Sequence, residues 1–230
     1  MLDETVATAR LERLRRAGIL PILRGDNTEL LYERACELIK MGYTAIEVTL
    51  DSHRALEVVA ALRKDIDSVG ADVLLGVGTM TDSDQAQACA EAGAEFVLSP
   101  SRPPEMIPRC HMQGLLAIPG VSSAEEWAAA KEAGAYAVKL FPISNFETVD
   151  ASTAPTPWMP VGGIKRRPAF KWLEAGAFCV GMGQNLCGED IRYLHRRDPV
   201  LLEQAQTDWR RRGRSRAESI SLQLQRRREP

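Results

Sequence analysis

Short apolar runs alternate with amphipathic segments along most of this chain, and that alternation limits the fold more than any other feature. Eight runs read as buried strands: residues 19–25, 45–50, 72–79, 96–100, 115–120, 137–142, 158–163 and 178–183. They are short, rich in branched residues and bounded by Gly, Pro, Asp or Ser, as strands covered on both faces are. Helical spacing fills the gaps. Residues 29–41 carry Leu30, Leu31, Ala35, Leu38 and Ile39 on one face, and Gly42 ends the segment. Asp51 and Ser52 read as the cap of a helix to residue 64, residues 81–84 as a capping sequence for a helix to 92, and Ser122 or Ser123 as the cap of 124–133. Pro104 suits the start of a helix to 112, and residues 166–175 and 4–17 complete the set.

The strand centres recur roughly 20–29 residues apart, the rhythm of parallel β-α-β units with right-handed crossovers. Eight units predict a (β/α)8 barrel in one domain. A doubly wound sheet is the alternative, but Gly76-Val77-Gly78 lacks the third glycine of a dinucleotide fingerprint. The pattern breaks after Pro142. Residues 143–157 hold Ser, Asn, Thr and two prolines and show no amphipathic helix, so the sixth crossover is expected to be short or missing. Pro160 weakens the seventh strand.

Length and composition bound the rest. The chain has 230 residues, 45% of them hydrophobic, and a net charge of −2. That supports one sizeable core and no global pull toward nucleic acid or membrane. No apolar run approaches the roughly 18 residues of a membrane span, and residues 1–16 lack a signal-type apolar core, so a cytoplasmic location is expected. The five cysteines are scattered without C-x-x-C spacing and read as reduced thiols. The charge is uneven. Residues 196–230 hold ten Arg and five acids, net +5, against −7 for the remainder. This divides the chain into a barrel over 1–195 and a basic helical tail over 196–230, with one or two helices expected between 198 and about 225. Without aromatic interleaving beyond Trp209, the tail reads as a solvated or partner-covering helix rather than a nucleic-acid arm.

In a barrel, chemistry sits at the carboxyl ends of the strands. Here those ends are polar: Arg24 after the first, Glu47 and Thr49 in the second, Thr79 after the third, Ser99 after the fourth, Lys139 in the sixth. A lysine inside an apolar run must snorkel out, find an acid or lose its proton, and a lysine with a depressed pKa is a nucleophile toward carbonyls. Period two turns Glu47 to the barrel interior, with Ile46 and Val48 outward. An interior Glu–Lys pair satisfies both charges and also sets a proton-transfer group beside a nucleophilic amine. Two glycine-rich turns, residues 161–164 and 180–184, fall where barrels often hold phosphate. His53, His111 and His195 are off the strand ends, and Glu47 with Asp51 alone is thin support for a cation, so neither a metal site nor a cofactor is expected.

Seven stretches together carry a family resemblance: Ile22-Leu23-Arg24, residues 46–50, Gly76-Val77-Gly78-Thr79, Ser99-Pro100, Ile118-Pro119-Gly120, residues 138–142, and Val161-Gly162-Gly163-Ile164. In this order they resemble the 2-keto-3-deoxy-6-phosphogluconate (KDPG) and 4-hydroxy-2-oxoglutarate (KHG) aldolases, metal-independent class I enzymes with a (β/α)8 fold. The resemblance covers about residues 17–190. It implies that Lys139 forms a Schiff base with pyruvate or the keto acid, and that Glu47 is the general acid/base. It implies that Thr79 meets the pyruvate carboxylate, that Arg24 holds a carboxylate or the distal phosphate, and that Gly162 and Gly163 help bind that phosphate. Thr49, Ser99, Pro100, Phe141, Gly183 and Gln184 complete the expected substrate-binding set. The expected activity is cleavage of a 2-keto-3-deoxy sugar acid, 6-phosphorylated, to pyruvate and an aldehyde. A homotrimer is expected on the same analogy. The alternatives are the same lysine acting on a short keto acid, or a non-catalytic anion-binding barrel.

Three places depart from the family pattern. Asp51-Ser52 stand where many members carry Arg, although the galactonate-type members have a small polar residue there. Gln184 or Asn185 stands where many have a phosphate-binding serine. The stretch between Pro142 and Gly162 is several residues shorter than usual.

Overall fold

Each strand sorts its side chains by parity into two buried clusters, and that sorting builds the molecule. The computed structural model describes residues 1–146, 149, 152–187 and 214–228. Its strands are β1 (Ile19–Leu23), β2 (Ala45–Thr49), β3 (Leu74–Gly78), β4 (Phe96–Leu98), β5 (Leu116–Ile118), β6 (Gly120–Val121), β7 (Val138–Leu140), β8 (Trp158–Pro160) and β9 (Val180–Met182). All pairings are parallel, in two ladders ordered β5-β4-β3-β2-β1-β9 and β6-β7-β8. Ile19, Leu23, Ile46, Val48, Leu75, Val77, Val138 and Leu140 face one way, into the cluster shared with the helices. Leu20, Ile22, Leu74, Phe96, Leu98, Leu116, Ile118 and Met159 face the other way, into a second cluster. A parallel sheet covered on both faces and curled around its own inner cluster is the result.

The helices are α1 (Glu4–Ala17), α2 (Thr28–Lys40), α3 (Ala55–Ser68), α4 (Ala86–Glu91), α5 (Met106–Met112), α6 (Ala124–Glu132), α7 (Arg166–Glu174), α8 (Gln184–Cys187) and α9 (Arg214–Arg228). Three begin on side-chain caps: Asp3 accepts from Val6 N–H at 2.8 Å, Asn27 from Leu30 N–H at 2.9 Å, and Ser123 from Glu126 N–H at 3.3 Å. α1 sends Ala7, Leu14 and Ala17 into the inner cluster, joined by Leu2 just before it, and so covers the amino-terminal ends of the strands. Arg13 then pairs with Asp72 at 2.7 Å and Glu95 at 2.9 Å on that same side.

Three local expectations are corrected. α3 starts at Ala55, not at an Asp51-Ser52 cap. Arg54 stands at its N-cap with φ 52° and makes no side-chain capping bond; its guanidinium donates instead to the Glu57 side chain at 2.7 Å. Ser52 is spent elsewhere: its Oγ accepts from Gly25 N–H at 3.1 Å and meets Thr49 Oγ1 at 3.0 Å. The fifth strand is split into β5 and β6 around Pro119, which cannot donate to a ladder. Pro160 does not weaken its strand. It closes β8 opposite Leu140, and the next residue, Val161, restores the ladder by donating to Leu140 O at 3.1 Å.

Among residues 143–157, Ile143–Asn145 form one 3-10 turn, while 147, 148, 150 and 151 lie outside the described residues. The expected boundary at 195/196 and the first part of the helical stretch expected over 198–225 also lie outside them. From residue 214 the chain is α9, and α9 is docked. Ala217, Ile220 and Leu224 recur at i, i+3 and i+7 and are 0%, 1% and 7% exposed. Tyr43 donates its hydroxyl to Ala217 O at 3.0 Å, and Ser221 donates to Met41 O. Among the described residues no helix is long and apolar enough to cross a membrane.

Truncating Ile220 to Ala removes buried volume at that seam and is expected to cost about 2–5 kcal/mol of stability. Denaturant unfolding measures it; an unchanged midpoint would show that α9 does not contribute to the core.

Candidate active site

Parity and register bring the two interior charges to one cavity. Glu47 pairs with Ile22 on β1 and with Gly76 on β3; Lys139 pairs with Gly120 on β6 and Met159 on β8. Both lie on the inner-facing parity of their strands, and they are 1% and 6% exposed. Room for the carboxyl comes from glycine. A Cβ built on Gly78 would lie 1.6 Å from Glu47 Oε1, and one on Gly76 would lie 2.3 Å from the Phe96 ring. Gly76-Val77-Gly78 is therefore a space-making pair of glycines around an outward valine.

Burial decides the charges. Glu47 is pushed up from 4.5 to about 7, by desolvation first; Lys139 and Arg24 pull it back down, and Asp51 adds to the rise. Lys139 is pushed down from 10.5, again by desolvation first, with Glu47 opposing and Arg24 assisting. The mutual attraction is present but loses to desolvation on both sides, so each group is moved toward its uncharged form. Glu47 Oε2 is buried with no hydrogen-bond partner among the described residues. Lys139 Nζ sits 4.5 Å from the centroid of the Phe141 ring, which leaves the amine an apolar, weakly stabilising wall.

The cavity has a volume of about 260 Å³. Glu47 and Lys139 line it, with Arg24, Thr79, Pro100 and Phe141. The glycine turns close the other side through Gly162, Gly163, Gly183 and Gln184. Gly162 and Gly163 have φ 124° and 62°, backbone that a side chain would strain. Asn185 braces this turn by donating to Gly163 O at 2.9 Å and Ile164 O at 3.2 Å. Thr79 has φ 61°, an outlier for a β-branched residue costing about 1–3 kcal/mol, of the kind that collects at functional sites. It accepts from Arg24 Nη2 at 2.7 Å.

Two expected site residues do not line the cavity. Thr49 is 0% exposed and spends its hydroxyl on Ser52 and on Arg24 Nε, the latter at 3.3 Å. Ser99, also 0% exposed, donates to Ser101 O and accepts from Gly120 N–H at 3.3 Å. Each supports the frame behind the wall. The sequence reading missed the apolar walls Ile22, Val161 and Ile164, although inward parity already marks Ile22 and Val161. It also missed the ion pair between Arg24 Nε and Asp51 Oδ1 at 3.1 Å. Among the described residues no group of three or more His, Cys, Asp or Glu side chains is gathered to hold a metal ion.

A buried amine with lowered proton affinity, beside a carboxyl with raised affinity, is equipment for imine chemistry on a carbonyl compound. Comparison with known proteins agrees. The model of the KDPG and KHG aldolase family matches residues 11–198, and the chain belongs to that family. It is 36% identical over 159 residues to 2-dehydro-3-deoxy-phosphogluconate aldolase of Treponema pallidum (strain Nichols), a match covering 66% of this chain and 74% of the relative. It is 30% identical over 174 residues to 2-dehydro-3-deoxy-6-phosphogalactonate aldolase of Escherichia coli (strain K12), covering 73% of this chain and 83% of the relative. A solved structure described as native KDPGal superposes with a TM-score of 0.69 at 26% identity, covering 91% of this chain and 94% of that one.

Gly78→Ala drives a methyl into the Glu47 carboxyl and is expected to lower lyase turnover by about 10²-fold or more, the scale of a lost general acid/base. Steady-state kinetics beside a denaturation control checks it; full turnover would mean that the carboxyl's position is immaterial.

Proposed function

We propose that Lys139 and Glu47 carry the reaction of a class I aldolase acting on a phosphorylated 2-keto-3-deoxy sugar acid. The observation that carries this is the burial of one amine and one carboxyl on the wall of a single cavity, in a chain of this family. Lys139 Nζ adds its lone pair to the C2 keto carbon, and the carbinolamine oxygen leaves as water after protonation. The resulting iminium is an electron sink. Glu47, poised near neutrality, supplies the proton for dehydration and removes the proton of the C4 hydroxyl. The C3–C4 bond breaks; its electron pair moves into the iminium as an enamine, and C4 leaves as an aldehyde. Protonation at C3 and hydrolysis then release pyruvate and the free amine. Thr79 and Arg24 take anionic groups of the substrate, and the turn N–H groups of Gly162, Gly163 and Gly183 with the Gln184 side chain receive the phosphate.

We infer that the two ladders are arcs of one closed (β/α)8 barrel with a shortened sixth unit. The Val161–Gly181 bridge and the Phe178 N–H to Trp158 O bond at 3.1 Å support closure between β8 and β9, and β5 and β6 are consecutive across Pro119. The docking of α9 supports treating the tail as the last helix of the barrel's outer ring. A homotrimer in the cytoplasm fits the family resemblance, and five free thiols fit a reducing compartment. One observation favours a second substrate class, the short keto acids. Arg24, the one guanidinium among the described lining residues, is already paired with Asp51.

Incubation with pyruvate and borohydride tests the reading. Intact and peptide mass spectrometry is expected to find a reduced adduct on Lys139, with none in Lys139→Ala and turnover there at background. A folded parent protein that traps no pyruvate would overturn it. A panel of phosphorylated and plain aldehydes in the reverse direction separates the substrate classes.

A further inference from the structure

Arg24 follows β1, and in the sheet β1 lies between β2 and β9. Its guanidinium has two ways to lean. Toward β9 it would approach the glycine turns; toward β2 and β3 it approaches Thr79. All its partners lie on the second side: Thr49 Oγ1 at 3.3 Å and Asp51 Oδ1 at 3.1 Å from Nε, and Thr79 Oγ1 at 2.7 Å from Nη2. The carboxylate that holds it there is itself fixed. Leu50 N–H donates to Gly78 O at 2.8 Å and Ser52 N–H to Thr49 O at 3.0 Å, which sets the turn carrying Asp51. That turn is tied to the residue after Arg24 twice, by Gly25 N–H to Ser52 Oγ at 3.1 Å and His53 N–H to Gly25 O at 3.2 Å. Arg24 and Asp51 thus spring from two backbone segments laced together.

We propose that Asp51 is a positioning residue that holds Arg24 on the β2–β3 side of the cavity and commits its guanidinium to the carboxylate of the bound keto acid rather than to a distal phosphate. The pair is 32% and 33% exposed in its side chains, so water screens much of its attraction. Its effect is therefore geometric. Asp51 and Thr49 take the Nε edge, and the Nη edge is left to face the cavity beside Thr79, where a planar carboxylate accepts two parallel hydrogen bonds. The distal phosphate is then left to the uncharged groups of Gly162, Gly163, Gly183 and Gln184. This explains how a chain with an acid after the second strand keeps its keto-acid site: the acid aims the arginine that the first strand supplies. Preorganising a clamp in this way acts on binding and alignment together.

The proposal rests on the aldolase reading, and the test separates the two. Pyruvate is the probe because it carries the keto-acid carboxylate and no phosphate. The trapped fraction at Lys139 is measured against pyruvate concentration in the full chain. Asp51→Ala and Arg24→Ala are each expected to raise half-saturation about tenfold or more, with trapping recovered at saturating pyruvate. Asp51→Asn keeps an acceptor for Nε and is expected to stay within about threefold of the parent. In the Arg24→Ala background, Asp51→Ala is expected to shift half-saturation less than twofold, since its effect runs through Arg24. An unchanged value in Arg24→Ala or Asp51→Ala, or an equal shift by Asp51→Ala in both backgrounds, overturns the assignment while leaving the imine chemistry intact. If Asp51→Ala does not fold, Asp51→Asn decides: a rise of tenfold or more contradicts positioning by an acceptor. A parent protein that traps nothing overturns the aldolase reading and this proposal with it.

Discussion

Glu47 and Lys139 sit on the inner wall of the sheet, and desolvation moves both toward their uncharged forms against their own attraction. An isolated buried ion costs several kcal/mol, and a buried pair regains that only with good geometry and satisfied hydrogen bonds. Here the geometry is incomplete, because one carboxyl oxygen has no partner among the described residues. The stability of the surrounding fold holds the arrangement in place. The inner cluster of Leu20, Leu74, Phe96, Leu116 and Met159 lies on the same parity, and α1 seals its end. What would be a defect in a plain core is what makes the amine easier to deprotonate and the carboxyl able to carry a proton near neutral pH.

Everything nearer the mouth is built on that floor. The space over Gly78 fixes where the carboxyl lies, and the ring of Phe141 walls the amine. Arg24, Asp51 and Thr79 form a hydrogen-bonded bridge across the ends of β1, β2 and β3. The positive-φ turn at Gly162 and Gly163, braced by Asn185, closes the opposite rim. One rim of the cavity thus carries a guanidinium and the other glycine backbone and an uncharged side chain, so the two ends differ in charge.

The strands, their parallel sense and the inward turn of Glu47 were legible because period-two alternation is written into each short run, as in Ile46-Glu47-Val48. Lys139 was legible for the same reason, as a charge in an apolar strand. What escaped depends on partners far away in the chain. Asp51 and Ser52 have the composition of a helix cap, but Arg24 and Gly25, 27 residues earlier, claim their side chains. Thr49 and Ser99 look like strand-end site residues, yet hydrogen bonds to neighbouring turns draw them behind the wall. The buried face of α9 was hidden by the arginines around it, although Ala217, Ile220 and Leu224 keep helical spacing.

Burial lowers the proton affinity of Lys139, and Glu47 partly restores it. Carbon-13 labelling of lysine side chains, followed by NMR across a pH titration and assigned with Lys139→Ala, measures this directly. The Lys139 signal is expected to titrate below the ordinary 10.5, and to move lower still in Glu47→Gln, which removes the neighbouring charge that favours its ammonium form. A Lys139 that titrates at 10.5 in both proteins would show an ordinary solvated lysine, with no lowering by burial and none of the nucleophilic readiness that imine formation needs.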